Sequence, residues 1–333
     1  MTLARNLFLL LFALCSSLPG PAALAASYKA GVTRVTGEEA GGQITAFVWY
    51  PGSAEEAPWQ AGPFEIRAAR NGPFADGRFP VVLLSHGRGG APLSHRELAA
   101  SLAREGFIVV APVHQGDTAG QPSASLPLIL TRRPAQAIAA LDAALADSRI
   151  APHADTGRIG MIGFSAGGYT ALTVAGAKPD FELALRFCQT PAGRSDPGSC
   201  PPDDDGIQTA LADLKAWEAP SESRFKALVL LDPLAIMFDA RALADVKLPV
   251  MLVRPQDDLY MRSQANALAL AQNLPAPPQQ LSMPGRHFVF IDPCPPALAE
   301  EAELICKDAP GVDRAVIHRT LEAAIAAFLK ENL

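Results

Sequence analysis

The stretch from Arg158 to Gly168, RIGMIGFSAGG, decides the fold class. It opens with an apolar run that is typical of a β-strand buried on both faces. The run ends at Gly163, and a helix-forming sequence begins after Gly168. Small residues around Ser165 permit the sharp turn that joins such a strand to a helix. The G-x-S-x-G pattern is weak by itself, but with these flanks it predicts a turn that presents Ser165 as a nucleophile.

Similar apolar runs alternate with helical patterns along the chain, which predicts right-handed crossovers and a mostly parallel sheet covered on both faces. Ser94 is expected to cap the N-terminus of a helix, because Glu97 three residues later completes the pattern of a capping box. Pro134 is expected to lie in the first turn of the next helix. Residues 51–79 are expected to be loop. We expect strands at 42–50, 80–85, 107–111, 158–163, 226–231, 249–253 and 279–283, and helices at 94–105, 134–147, 207–217, 263–273 and 313–329.

The N-terminus has the pattern of a signal peptide. Arg5 supplies the positive charge, Leu7 to Leu14 is apolar, and Ala23-Leu24-Ala25 fits the cleavage site. The apolar run is too short for a stable membrane span. We therefore predict a signal peptide at 1–25 and a periplasmic or secreted protein without a membrane span after cleavage. The mature chain, 26–333, is expected to form one domain, in which 177–224 interrupts the alternation as a small cap or lid insertion.

Export affects how the cysteines are interpreted. Removal of the signal removes Cys15, which leaves Cys188, Cys200, Cys294 and Cys306. An even number in an oxidising compartment predicts disulfides. Three pairings are possible, of which the local one would close two short loops. No cysteine pair has the close spacing of a zinc site, and we predict no metal.

Charge and glycine patterns exclude other classes of partner. The net charge is −6 and there is no basic stripe, so nucleic acid is not expected. The glycine-rich loop at 85–90 lacks the Lys-Ser/Thr of a phosphate-binding loop, so phosphate cradling is rejected. The sequence does not indicate an oligomeric state.

A serine nucleophile needs a base that lies late in the chain. His287 follows the strand expected at 279–283, at the sheet edge where ligands bind. His86 and His114 precede the serine, and His318 lies in the last helix and is expected to be structural. His287 is therefore the predicted base.

The acid that orients the histidine has several candidates. Asp258 follows the strand at 249–253, and Asp232 follows the strand at 226–231. Asp258 is preferred, Asp232 is the alternative, and Asp257 comes third. For the oxyanion hole we expect the backbone N–H groups of Ala166 and Arg88.

Together, several motifs resemble the exported bacterial "predicted dienelactone hydrolase" group of the α/β-hydrolase superfamily, which is related to platelet-activating-factor acetylhydrolases. The resemblance covers nearly the whole mature chain. It is carried by SHGRG at 85–89, VHQGD at 113–117, GFSAGG at 163–168, HFVF at 287–290, the two late cysteines, and DRAVIH at 313–318.

This resemblance implies an α/β-hydrolase fold, an ester-type small-molecule substrate and no cofactor. It supports Ser165 as the nucleophile and His287 as the base. It does not choose between the two acids, since the acetylhydrolase branch matches Asp232 and the exported group matches Asp258. True dienelactone hydrolases use cysteine where this chain has serine, so a lactone is not predicted.

We expect hydrolysis of carboxylic esters through an acyl-enzyme on Ser165. The alternatives with the same catalytic groups are a phospholipid or platelet-activating-factor-type acetylhydrolase, a lactonase, a peptidase and an acyltransferase. An alternative of another class is a noncatalytic exported binding protein.

Overall fold

The computed structural model describes residues 28–40, 42–201 and 206–333. The predicted signal peptide and Cys15 lie outside the described residues. Within those residues, no helix is long and apolar enough to cross a membrane.

A nine-stranded sheet forms the centre of the molecule, in the spatial order β11-β10-β9-β8-β6-β7-β2-β1-β5. The strands from β11 to β7 run parallel, whereas β2 pairs antiparallel with both β7 and β1. The predicted mostly parallel sheet is thus confirmed. The strands are β1 (Lys29–Glu39), β2 (Gly42–Gly52), β3 (Pro58–Ala61), β4 (Phe64–Arg67), β5 (Ala69–Arg70), β6 (Phe79–Ser85), β7 (Ile108–Pro112), β8 (Ala154–Phe164), β9 (Phe225–Leu231), β10 (Val250–Pro255) and β11 (Gln279–Met283), with β3 and β4 in a separate hairpin.

Helices cover both faces of the sheet. Alternate residues of β6 point to opposite sides, so that Val81 packs with α2 and α3, and Val82 packs with α1 and α11. The helices are α1 (Arg96–Arg104), α2 (Leu126–Ala146), α3 (Ala166–Val174), α4 (Phe181–Cys188), α5 (Pro191–Arg194), α6 (Gly206–Thr209), α7 (Leu211–Ala216), α8 (Ala267–Asn273), α9 (Pro296–Ala299), α10 (Glu303–Cys306) and α11 (Arg314–Asn332).

The expected loop at 51–79 is wrong, because β3, β4 and β5 lie within it, and β1 was not predicted. The predicted cap of α1 is also wrong. Ser94 lies in a 3₁₀ turn, where its Oγ accepts from the Ala91 N–H at 3.2 Å. The Glu97 N–H in the first turn of α1 instead donates to Asp292 Oδ2 at 2.6 Å, so the carboxylate comes from far along the chain.

Helix α2 begins at Leu126 rather than at Pro134, which lies inside it. Proline has no N–H to donate, so the carbonyl of Leu130 lacks its usual helical partner. The Tyr169 hydroxyl of α3 donates to that carbonyl at 3.2 Å. This contact from a neighbouring helix explains how α2 accommodates the proline.

The segment at 177–224 contains α4, α5, α6 and α7, so the single helix expected at 207–217 is divided in two. The structure joins Cys188 to Cys200 within this segment and Cys294 to Cys306 near the C-terminus, which is the local pairing.

Candidate active site

Ser165 lies in the sharp turn between β8 and α3, with a backbone φ of +55°. Space for this turn depends on its neighbours having no side chains. A Cβ on Gly163 would come within 2.2 Å of the Gly167 carbonyl oxygen, and a Cβ on Gly167 within 2.0 Å of the Ser85 carbonyl oxygen. The glycines are therefore sterically required, and they hold the serine in a strained conformation that is typical of functional turns.

His287 begins a 3₁₀ turn after β11, and its Nε2 lies 3.0 Å from Ser165 Oγ. The imidazole is buried. His318 of α11 supports this turn, since its Nε2 lies 2.8 Å from the carbonyl oxygen of Val289. The structure thus brings together the predicted nucleophile and base, and His318 contacts the turn rather than the serine.

Two carboxylates face the other nitrogen of His287. Its Nδ1 lies 2.6 Å from Asp232 Oδ2 and 3.2 Å from Asp258 Oδ2. An ionised carboxylate can only accept, so an N–H on Nδ1 donates to this pair and leaves Nε2 free to accept from the serine hydroxyl. Both candidates converge because β9 and β10 are parallel neighbours whose carboxyl ends lie side by side.

The two carboxylates have different surroundings. Asp258 Oδ1 accepts from the N–H groups of Tyr260 and Met261 at 2.8 and 3.0 Å, so this residue also organises its own loop. Asp232 is fully buried with a φ of +41°, and among the described residues its carboxylate has one hydrogen-bond donor, His287. Asp257, the third candidate, is exposed and pairs with Arg286 at 3.6 Å.

The pKa values follow from burial and from these contacts. Burial alone would lower the pKa of His287, but its hydrogen bonds to Asp232 and Asp258 outweigh burial and raise the pKa to about 9. Burial raises the pKa of Asp232 well above its usual value. Burial opposes ionisation of Asp258 too, but its bonds to His287 and Asp232 and its backbone donors lower its pKa to about 2. The cluster therefore favours a charged imidazolium beside carboxylate.

Asp232, Asp258 and His287 are also the described residues whose potential ligand atoms, all within 4.8 Å, could surround a metal ion. Binding at Nδ1 would replace the histidine–carboxylate hydrogen bonds, whereas Nε2 faces Ser165. The hydrogen-bonded series from serine to carboxylate fits proton transfer.

The predicted oxyanion donors both border the serine. Arg88 and Ala166 line the same cavity as Ser165. Within the described part of the chain, neither of their backbone N–H groups donates to a protein acceptor. Both groups are thus available for a substrate oxygen.

A buried ion pair, which the sequence analysis missed, lies under the glycine loop, defined here as residues 86–90. Arg133 pairs with Asp117, and Asp117 Oδ1 accepts from the Gly89 N–H at 2.7 Å. The Arg133 guanidinium also donates to the His86 carbonyl, and to Thr170 of α3 at 3.2 Å. It therefore ties the glycine loop to the helix that follows Ser165.

The available sequence signals were a charged Arg133 in the Ala-rich, apolar helix and Asp117 at the end of the VHQGD motif. His86 and His114 belong to the same buried layer and do not line the cavity. Burial and the nearby Arg133 charge lower both of their pKa values well below the usual range, which keeps them neutral.

The cavity beside Ser165 has a volume of about 450 Å³, within the range of small-molecule sites. Of the described residues in the expected cap, Gly198 and Ser199 line it. A larger contribution comes from residues 294–306, the segment closed by the Cys294–Cys306 disulfide, which we call the stapled segment. Its lining residues are Cys294, Leu298, Ala302, Ile305 and Cys306.

Comparison with known proteins agrees with this architecture. Residues 66–196 match the family model of the dienelactone hydrolase family. The match includes the glycine loop and Ser165 but ends before Asp232 and His287. No curated protein matches the chain. Among solved structures, a ferulic acid esterase from Streptomyces cinnamoneus is similar with a TM-score of 0.56 and 16% identity, over 93% of this chain and 91% of that one. The chain has the α/β-hydrolase fold.

The predicted fold class and the resemblance to the dienelactone hydrolase group are both confirmed by these matches. They support an esterase-type hydrolase with a small-molecule substrate. The link to platelet-activating-factor acetylhydrolases stays a prediction.

Proposed function

We propose that this α/β-hydrolase cleaves carboxylic esters through an acyl-enzyme on Ser165. The observation that carries the proposal is the continuous contact from Ser165 Oγ to His287 Nε2, and from His287 Nδ1 to Asp232, at 3.0 and 2.6 Å. This is the spacing at which a base takes the proton of a serine hydroxyl.

In the proposed reaction, Ser165 Oγ attacks the ester carbonyl carbon while His287 Nε2 takes the hydroxyl proton. The negative charge on the carbonyl oxygen is stabilised by the N–H groups of Arg88 and Ala166. The C–O bond to the alcohol then breaks, and His287 protonates the departing oxygen. Water attacks the acyl-enzyme with the same base, which releases the acid and restores Ser165.

We propose Asp232 as the orienting acid, in place of the preference for Asp258 from sequence. Asp232 is closer to Nδ1, and His287 is its hydrogen-bond donor, whereas Asp258 also binds two backbone N–H groups. Asp258 then acts as a second carboxylate that favours the charged imidazolium.

Ser165→Ala tests the nucleophile. Hydrolysis of a short-chain p-nitrophenyl ester should fall by a factor of about 10⁴ or more. Ser199→Ala is the matched control, because Ser199 also lines the cavity but bonds to Asn266 at 2.8 Å. Undiminished hydrolysis by Ser165→Ala would exclude this mechanism.

Separate Asp232→Asn and Asp258→Asn variants test the acid. Asp232→Asn should lower kcat by about 10⁴-fold, because an amide cannot hold the histidine in the required tautomer. Asp258→Asn should lower it much less. The reverse order would assign the acid to Asp258.

The class of substrate is a further part of the proposal. A panel of simple esters, phospholipids, lactones and amides separates esterase from acetylhydrolase, lactonase and peptidase activity, and an added alcohol acceptor detects acyl transfer.

We also propose export, which the two disulfides support. Cleavage after the predicted signal at 1–25, found by N-terminal sequencing of the mature protein, tests it; an intact N-terminus on the purified protein would contradict it.

A further inference from the structure

The stapled segment separates two clefts that both reach His287. Leu298, Ala302 and Ile305 face the cavity beside Ser165. Glu303, Leu304 and Lys307 face a second cleft of about 580 Å³ that also borders His287. The spacing of the first three residues, i, i+4 and i+7, is that of one helical face, although α9 and α10 are separate short helices.

The first cavity is apolar. Besides the stapled segment, its wall is built mainly from hydrophobic side chains, with Ser94, His95 and Ser199 among the polar ones. Two charged residues that border it inside the protein are engaged in hydrogen bonds. Arg96 donates to the Pro293 carbonyl at 3.1 Å, and Asp292 accepts from Glu97 N–H. The other large apolar lining residues are Phe64, Leu126, Ile129, Leu130, Phe164, Leu234, Phe288 and Ile291.

The second cleft differs from the first in its charged side chains. Apolar residues such as Leu259 and Leu304 line it too, but so do Arg286, Glu303, Lys307 and Asp308. Ser165 lines the first cavity but not the second cleft, so the acyl group that becomes bonded to Ser165 fits the first cavity. The alcohol leaves with a proton from His287, and the second cleft offers it space beside that histidine and away from Ser165.

Several contacts hold the stapled segment in place. Besides the disulfide, Arg314 of α11 donates to the Ile305 carbonyl at 2.8 Å and pairs with Asp308 at 2.8 Å. The segment is therefore a fixed wall rather than an open loop.

Resting on the proposed esterase function, we propose that the stapled segment determines acyl specificity, and that the substrates are esters of apolar carboxylic acids whose chain packs against Leu298, Ala302 and Ile305. A cavity of about 450 Å³ leaves room for more than an acetyl group. Burial of each added methylene in it favours the longer acyl chain.

Ala302→Phe tests this by filling the cavity. For p-nitrophenyl octanoate relative to acetate, the ratio of kcat/KM values should fall by about tenfold or more. Ile305→Ala enlarges the cavity and should raise the preference for chains longer than octanoate. The second variant keeps the test decisive if the first one does not fold.

Ala299→Phe is the matched control, since Ala299 lies on the exposed side of the same segment and lines neither cleft. Its octanoate-to-acetate ratio should equal that of the unmodified protein. An unchanged octanoate-to-acetate ratio in Ala302→Phe, or an unchanged preference for chains longer than octanoate in Ile305→Ala, would overturn the proposal. The proposal would also be overturned if these variants changed the preference for the length of the alcohol, measured with esters of one acid, and left the preference for acyl length unchanged.

Labelling of Ser165 by a fluorophosphonate distinguishes the two levels of the proposal. Labelled variants with an unchanged acyl profile would reject the role of the stapled segment alone. Absence of labelling and of hydrolysis in the unmodified protein would reject the esterase function itself.

Discussion

The glycine loop and the stapled segment line the same cavity, but different interactions hold them. The glycine loop rests on a fully buried ion pair, in which the side chains of Asp117 and Arg133 are 2% and 1% exposed. The stapled segment lies at the surface and is held by a disulfide and by Arg314. The loop that carries the proposed oxyanion donor Arg88 is thus held by the core, whereas the wall that we propose to contact the acyl chain is held at the surface.

Of the substitutions considered, Arg133→Met should lower the free energy of unfolding the most, because it removes the buried ion pair under the glycine loop. It leaves the Asp117 carboxylate buried without its partner, which costs about 3–5 kcal/mol in the free energy of unfolding. Urea denaturation measures this loss. Arg158→Met is the control, because the Arg158–Asp155 pair is 42% and 32% exposed and should contribute at most about 1 kcal/mol. Equal losses in the two variants would contradict the contrast between core and surface.

Replacing Cys294 and Cys306 together by serine should lower the free energy of unfolding by about 3 kcal/mol, through the entropy gained by the unfolded chain. The double serine variant of Cys188 and Cys200 is closely matched, since both bridges have a sequence separation of 12. Both variants should lose similar stability in urea, but the first should broaden the acyl preference in the ester assay more, because the 188–200 loop contributes fewer lining residues to the cavity, Gly198 and Ser199. Equal broadening in both, or none in either, would remove the special role of the stapled segment.

His287 borders both clefts, and its pKa of about 9 gives activity and stability opposite responses to pH. The base must be neutral, so kcat/KM should rise with pH toward a midpoint near 9. The stabilising contact of the charged imidazole is complete below about pH 6.5, the pKa in the unfolded chain, and is lost as pH rises through 9.

Asp258→Asn removes one of the two carboxylates that favour the charged imidazole. It should move the activity midpoint to lower pH by about one unit, which corresponds to about 1.4 kcal/mol. A pH–rate profile with the p-nitrophenyl ester measures the shift. A midpoint that stays in place, or moves upward, would show that Asp258 does not act on His287.

The sequence predicted the strands that are buried on both faces, because β6, β8, β9 and β10 appear as continuous apolar runs. It missed β1 and β3 to β5, whose mixed polar and apolar residues lie near an edge of the sheet or in a separate hairpin. The start of α2 was misplaced because the compensating contact, from the Tyr169 hydroxyl, comes from another helix.

For the candidate site, chain order and strand ends were enough to bring Ser165 and His287 together. They could not choose between Asp232 and Asp258, because both follow neighbouring parallel strands and both reach the histidine. Asp117 and Arg133 were missed because a charge in an apolar helix and an Asp at the end of a motif do not show which groups they contact, and their partners in the glycine loop are backbone atoms, the Gly89 N–H and the His86 carbonyl.

Mass spectrometry of the full chain after reaction with a fluorophosphonate tests the central claim most directly. The account predicts one adduct, on Ser165, formed together with loss of ester hydrolysis, and much slower labelling in His287→Ala. An adduct on another serine, or hydrolysis that persists after complete labelling of Ser165, would contradict it.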